Sequence, residues 1–252
     1  KTTLAKTGIS KCLTDETNEN RPFIFIALGG SSNGSTLEGH NYTYVGSSWG
    51  RIIEGIMDSK CMNPIIFFDE VDKLSNTEHG REITGILTHL TDQTQNDTFH
   101  DKYFSGIDID LSKALIIFSY NDSSLIDPIL KDRITEIRIK PLITKDKIKI
   151  VKDFLLPEIL DNLGYKKNDI VIDEENIIHL IESYTYEAGV RKLKEKIVEI
   201  LRMINLERLY GQEIQIPYNI SKDKIEEILS SKSKIIFKKI ADSPSNGLVN
   251  GL

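Results

Sequence analysis

Pro64-Ile65-Ile66-Phe67-Phe68-Asp69-Glu70-Val71-Asp72-Lys73 is the stretch that decides the fold. Bulky apolar side chains run without a break into two adjacent acids. A continuous apolar run this short predicts a strand buried on both faces, as inside a parallel sheet. The acids then fall at its carboxyl end, the edge of an open α/β sheet where ligands bind. There Asp69 can hold Mg²⁺ directly or through water, and Glu70 can polarise a water for attack on a phosphate. Many buried strands that carry no chemistry also close in a solvated acidic turn, so the reading rests on what the rest of the chain supplies.

The chain opens Lys1-Thr2-Thr3-Leu4-Ala5-Lys6. The phosphate-binding pattern G-x-x-x-x-G-K-[ST] ends in Lys followed by Ser or Thr, ahead of a helix. Lys1 and Thr2 have the form of that ending without its glycines, in the right order and at the right distance before the acidic strand. Lys1 would reach the β- and γ-phosphates of ATP, and the Thr2 hydroxyl would sit on Mg²⁺. Asp69 and Glu70 then take the form of a Walker B motif with its catalytic Glu. A chain opening at this point is expected to bind ATP poorly, because the backbone N–H cradle would be absent.

The length of 252 residues suits about two domains. A hydrophobic content of 39% and a charged content of 28% are ordinary for a soluble globular protein. No stretch approaches the length of a membrane span. The net charge of −6 argues against nucleic acid as the main partner. Basic runs at Lys145–Lys152 and Lys232–Lys239 alternate with Ile and Val and read as solvated faces. Two cysteines, Cys12 and Cys61, point to a reducing compartment, the cytoplasm or an organellar matrix. Cys12 shares an apolar helical stripe with Leu4 and Ile9 and is expected in the core. The five His form no ligand pattern.

Along the first part, a helix is expected over Leu4–Leu13, then a buried strand over Phe23–Leu28. A loop follows, Gly29-Gly30-Ser31-Ser32-Asn33-Gly34. Arg51–Met57 reads as helix, and so do Ile83, Ile86, Leu87 and Leu90 by their spacing. Ala114–Ser119 is a short apolar strand ending at Tyr120-Asn121, and the alternation of Ile134–Ile139 would complete the sheet. The fold class is therefore α/β, a parallel sheet with helices on both faces over residues 1–142. After Pro141 the pattern becomes helical. Thr144 can cap a helix with Ile148, Val151, Leu155 and Ile159 on one face. Asp173 can cap a second with Ile177, Ile178 and Ile181, and a third runs from Val190 to near Gly211. Residues 143–240 would form a small helical bundle, and 241–252 a linker toward a further domain.

Several strings occur in order along nearly the whole chain. They are Ala27-Leu28-Gly29-Gly30, Glu38-Gly39-His40 with Thr43-Tyr44-Val45-Gly46-Ser47, and Asn63-Pro64 through Lys73. Phe99-His100-Asp101-Lys102-Tyr103, Asp108-Ile109-Asp110-Leu111-Ser112 and Tyr184-Thr185-Tyr186-Glu187-Ala188-Gly189-Val190-Arg191 follow. Together they resemble the ATPase module of Lon-type proteases, an AAA+ P-loop core followed by a helical lid. Asn41 and Tyr42 depart from that pattern, where basic residues are usual, and Trp49 stands where Pro is usual. The resemblance implies ATP and Mg²⁺ as cofactors, with Lys1, Thr2 and Asp69 holding them and Glu70 orienting the water. It implies Asn121 as the first sensor, Arg133 as a finger on the ATP of a neighbouring subunit, and Arg191 as the second sensor at the nucleotide. It implies a homo-oligomeric ring, a hexamer, whose central pore grips unfolded polypeptide with Tyr44 and Val45. The Ser–Lys proteolytic dyad of the family lies in a following domain, which would begin about where this chain ends. Asp72 is expected to be structural or an intersubunit contact, and Arg138 a surface residue.

Each site residue has a plainer reading. Asn121 fits a strand-ending turn with Asp122 and Ser123. Arg133 fits a surface pair with Asp132 or Glu136, Arg191 an exposed helix position, and Tyr44 a ring packed under its loop. For the whole chain, an unfoldase module feeding a protease stands against a stand-alone AAA+ remodelling ATPase. A clamp loader or helicase would call for a basic pore face that the sequence does not offer. Glu70, Asn121, Arg133 and Arg191 together argue against a hydrolysis-dead parent.

Overall fold

The computed structural model describes residues 1–14, 19–30, 33–74, 77–211 and 215–230. The chain divides into two compact units, Lys1–Ile139 and Lys140–Leu252. The basic run at 232–239 and the expected linker at 241–252 lie outside the described residues, as do Ser31 and Ser32 of the glycine-rich loop.

The first unit is built on a parallel sheet of three strands, β1 (Phe23–Ala27), β2 (Ile65–Asp69) and β5 (Leu115–Phe118), in the order β1-β2-β5. Its register pairs Phe25 with Phe67 and Phe67 with Ile117. β2 is central, and Ile65, Ile66, Phe67 and Phe68 are at most 1% exposed. Burying each such side chain contributes about 1.5–3 kcal/mol. On one face Ile24, Ile26, Ile66 and Phe68 join a core with α3 (Arg51–Ser59) and α4 (Glu78–Thr91). α4 contributes Ile83, Ile86, Leu87 and Leu90, the expected stripe. On the other face the Phe23, Phe25 and Phe67 rings pack with centroids 5.6 and 5.9 Å apart.

Three expectations change. β1 is an edge strand with one open face, and Phe25 is 47% exposed, so it is not buried throughout. Ile134–Ile139 forms no strand, and Ile137 and Ile139 are exposed. Alternation describes a half-buried surface, but a strand also needs a ladder to join, and these residues pair with none of the described strands. Cys12 is exposed rather than core. Leu4–Ile9 winds with π-type bonding, the Ser10 N–H donating to the Ala5 carbonyl, before α1 (Ser10–Cys12). Bonding from i to i+5 moves the buried face off the α-helical stripe of Leu4 and Cys12 and onto Ala5 and Ser10.

Short elements complete this unit: α2 (Ser35–Glu38), the antiparallel pair β3 (Phe99–His100) and β4 (Asp108–Ile109), and α5 (Pro128–Asp132). α5 starts cleanly because Asp127 accepts from the N–H groups of Ile129 and Leu130 and Pro128 opens the first turn.

The second unit contains α6 (Thr144–Ile150), α7 (Leu156–Asn162), α8 (Glu174–Tyr184), α9 (Arg191–Leu209) and α10 (Lys222–Ile228). Leu160, Ile177, Leu180, Leu193, Ile197 and Ile200 are all fully buried in one core. A parallel pair, β6 (Ile170–Val171) with β7 (Tyr218–Asn219), adds to the expected bundle. Thr144 is the first residue of α6, with Ile143 at the cap position. Asp173 does stand at the cap of α8, but its carboxylate accepts from Asn219 Nδ2 at 2.7 Å and makes no cap bond. Among the described residues no helix is long and apolar enough to cross a membrane.

Phe68 is fully buried and stacks on Phe118 with centroids 5.5 Å apart. Phe68→Ala should therefore destabilise the first unit by about 3–5 kcal/mol. Urea unfolding followed by circular dichroism checks this: the transition of the first unit should move and that of the second should stay.

Candidate functional site

The carboxyl end of β2 gathers most of the expected site. Asp69 is the last residue of the strand and half-buried. One of its oxygens accepts the Glu70 N–H at 3.1 Å. The other accepts no hydrogen bond from the described residues. Glu70 turns the chain sharply, in the left-handed region at φ 61° and ψ 41°. A non-glycine residue there is uncommon and costs about 1–3 kcal/mol, a strain that clusters at functional sites. The Glu70 carboxylate meets the Lys73 ammonium, which raises the pKa of Lys73 above its usual value. The same carboxylate lies over Gly29, where an added Cβ would sit 2.1 Å from Glu70 Oε2. The glycine at the end of the first strand thus keeps open the space that the Glu70 carboxylate occupies.

Asn121 stands just past β5, and the Lys1 ammonium reaches it at 2.7 Å on Oδ1 and also contacts the Tyr120 carbonyl. Lys1 therefore lies beside the end of the neighbouring strand, and Thr2 follows it half-buried. The placement of Asn121 is set by Asp72. Its Oδ2 accepts the backbone N–H groups of Asn121 at 3.0 Å and Asp122 at 3.3 Å. The Val71 N–H donates to the Ser119 carbonyl at 3.1 Å, so the turns after the two strands are tied together. Within this chain Asp72 is a structural brace. Among the described residues no three His, Cys, Asp or Glu side chains converge as a metal cage. A Thr hydroxyl and one Asp beside phosphate oxygens suit Mg²⁺, which keeps most of its waters.

Arg133 follows α5 and pairs with Asp92, the residue after α4, rather than with Asp132 or Glu136. The Arg133 guanidinium, then the Thr94 hydroxyl and N–H, hold the Asp92 carboxyl well below the usual carboxylate range. Glu136 pairs instead with Arg138 at the surface.

In the second unit Arg191 opens α9 with a side chain 91% exposed, 3.4 Å from Glu195. The turn that presents it is braced by residues the sequence reading passed over. The Glu187 carboxylate accepts the N–H groups of Lys192 at 3.0 Å and Leu193 at 2.9 Å, capping α9. Lys147, buried at 5% exposure, donates to the Glu187 carbonyl at 2.6 Å. A Lys on the apolar face of a helix was the available signal.

Tyr44 and Val45 occupy the tip of the loop between α2 and α3, 69% and 108% exposed. Tyr44 is therefore not a ring packed under its loop. Turn bonds from the Tyr44 N–H to the Asn41 carbonyl and from the Ser47 N–H to the Tyr44 carbonyl shape the tip. Gly46 takes a positive φ of 80° there.

Residues 1–142 match the family described as "ATPase family associated with various cellular activities (AAA)". Residues 161–216 match the "Lon protease AAA+ ATPase lid domain". The chain is 42% identical over 211 residues to a Lon protease homolog of Acanthamoeba polyphaga mimivirus, covering 83% of this chain and 20% of that protein. It is 36% identical over 253 residues to a Lon protease of Campylobacter concisus, covering 100% of this chain and 30% of the relative. A Lon protease of Methanosarcina barkeri is 35% identical over 247 residues, 98% of this chain and 30% of the relative. The chain thus spans between 20% and 30% of the length of these relatives.

The contact between Gly29 and Glu70 gives a direct test of the strand-end geometry. Gly29→Ala should push the Glu70 carboxylate aside while leaving the sheet intact. A displacement of about 1 Å costs about 10²-fold in rate. ATP turnover should fall by that order in steady-state assays, with nucleotide affinity by calorimetry little changed.

Proposed function

The chain belongs to the AAA ATPases, with a nucleotide core and a lid of the Lon type, and we propose that it is the motor of a Lon-like ATP-dependent serine protease. In this reading it hydrolyses ATP to unfold polypeptide and pass it to a proteolytic domain. The observation that carries the reading is the contact of Lys1 with Asn121. Residues 120 apart in sequence meet at 2.7 Å, at the sheet edge that also bears Asp69 and Glu70.

When bound, ATP and Mg²⁺ supply the transferable phosphoryl group and the charge that polarises it. Lys1 would exchange its contacts with Tyr120 and Asn121 for phosphate oxygens. Thr2 and that second oxygen of Asp69 would face the cation. Glu70 would orient a water and take its proton, and the Asn121 amide would hold that water against the phosphate. Arg133 would act across an interface on the nucleotide of the next subunit of a hexameric ring, leaving Asp92 to do so. A guanidinium suits that role because it is always charged and forks onto phosphate oxygens. Arg191 would read the nucleotide from the lid. Tyr44 and Val45 would grip polypeptide in the central pore, where an aromatic ring offers large contact area at low entropy cost. The free thiols of Cys12 and Cys61 suit a reducing compartment.

Two experiments test this reading on the polypeptide that carries the module together with its proteolytic domain. Glu70→Gln subunits should bind ATP without hydrolysing it, and Arg133→Ala subunits should do the same. Mixtures in which subunits exchange should regain part of the activity at interfaces that combine an intact Arg133 with an intact Glu70. No recovery at any mixing ratio would exclude the finger acting in trans. Tyr44→Ala should lower degradation of a folded protein far more than cleavage of a short unstructured peptide. Equal effects on the two substrates would exclude the gripping role.

A further inference from the structure

The tip of the Tyr44 loop is exposed, yet its base is clamped, and the clamp centres on a carboxylate that no part of the reaction uses. Asp101 is 1% exposed. Its Oδ2 accepts the Gly50 N–H, where the loop ends, at 2.8 Å. Its Oδ1 accepts the Tyr103 N–H at 2.9 Å. The next residue holds the other end of the loop: the Lys102 N–H donates to the Glu38 carbonyl at 2.7 Å. The Lys102 ammonium bridges Glu38 at 3.3 Å and Glu82 of α4 at 3.2 Å. Consecutive residues thus fasten the entry and the exit of the loop to one short segment.

The two limbs of the loop also touch each other. The His40 N–H donates to the Ser48 carbonyl at 2.9 Å. A Cβ at Gly50 would lie 1.9 Å from the Leu37 carbonyl oxygen, and one at Gly39 would lie 2.8 Å from the Gly50 nitrogen. Only glycines allow so close a neck. Beside it the Trp49 ring stacks on Phe104 and meets Tyr103 edge-on, with centroids 6.2 and 5.7 Å apart.

We propose that Asp101 is the anchor that makes this loop a lever: it positions the Tyr44-Val45 tip and transmits force between that tip and the body of the nucleotide core. A loop attached only through its two chain ends would swing under load. A carboxylate that accepts one N–H from the loop and one from the core ties the two with bonds that are charge-assisted and shielded from water. An amide at this position has a single acceptor oxygen, so Asn can keep only one of the two bonds. The proposal rests on the reading of Tyr44 and Val45 as the substrate grip.

The test compares Asp101→Asn, Trp49→Ala, Tyr44→Ala and the double variant of Asp101 and Tyr44 in the polypeptide that carries the proteolytic domain. The readout is folded protein degraded per ATP hydrolysed, together with hydrogen exchange of the loop amides. Asp101→Asn should lower that ratio by about tenfold, because a small misplacement of a working group is costly. Exchange over residues 40–50 should rise and that over residues 65–69 should hold. The double variant should be no worse than the more impaired single variant, since both remove one function. Trp49→Ala, which strips the ring packing between the two residues whose N–H groups Asp101 accepts, Gly50 and Tyr103, should give a smaller fall of the same kind and covers the case in which Asp101→Asn does not fold. If Tyr44→Ala lowers the ratio while neither Asp101→Asn nor Trp49→Ala does, the anchor is overturned and the grip stands. Multiplicative losses in the double variant also overturn the anchor. If Tyr44→Ala leaves the ratio intact, the grip and the anchor fall together.

Discussion

β2 has neighbours on both edges and apolar contacts on both faces. A strand so enclosed cannot slip by one residue toward its start without drawing Asp69 into the buried place of Phe68. Its register therefore fixes the point at which the chain can first present a charge, and that point is Asp69. The turn after it must clear the end of β5, which the bond from Val71 to Ser119 enforces. Asp72 then reaches the first residues beyond β5 and sets Asn121. The order of acids along four residues is thus converted into a cluster drawn from two strands and the amino terminus.

Much of this was legible in the sequence because it depends on local pattern. The apolar run into Asp69 and Glu70 announced a central strand, and the spacing of Ile83, Ile86, Leu87 and Leu90 announced α4. What failed depended on partners that pattern does not encode. Phe23–Leu28 is apolar throughout, as in a buried strand, but among the described residues the face that bears Phe25 is left partly uncovered. Ile134–Ile139 alternates without a ladder to join. Cys12 was misplaced by a shift from α to π bonding that no composition signals. Asp101, Glu187 and Lys147 were passed over because their work is to hold backbone N–H and carbonyl groups far away in sequence. Only the folded geometry brings Gly50 to Asp101, or the Glu187 carbonyl to Lys147.

The charges expected to act on nucleotide already have partners in the chain: Lys1 with Asn121, Glu70 with Lys73, Arg133 with Asp92. The Lys73 side chain is 53% exposed and that of Arg133 36%. Ion pairs at that level of exposure are screened by solvent and add little to stability. For the motor proposed above, their value would lie in that weakness. They would keep the groups proposed to act on nucleotide from collapsing onto wrong partners, and a phosphate or a neighbouring subunit could displace them at small cost. Buried pairs would hold the same groups too firmly to cycle.

The closeness of Gly29 and Glu70 also bears on how such a sequence can change over generations. While residue 70 carries a carboxylate in this turn, a methyl group at residue 29 would have to displace it. If residue 70 lost its long side chain first, position 29 would be released to drift toward alanine or serine. A restored Glu would then have to turn its carboxylate away from the occupied space. The two positions are thus coupled: the side chain that residue 29 carries sets where the acid at residue 70 can rest.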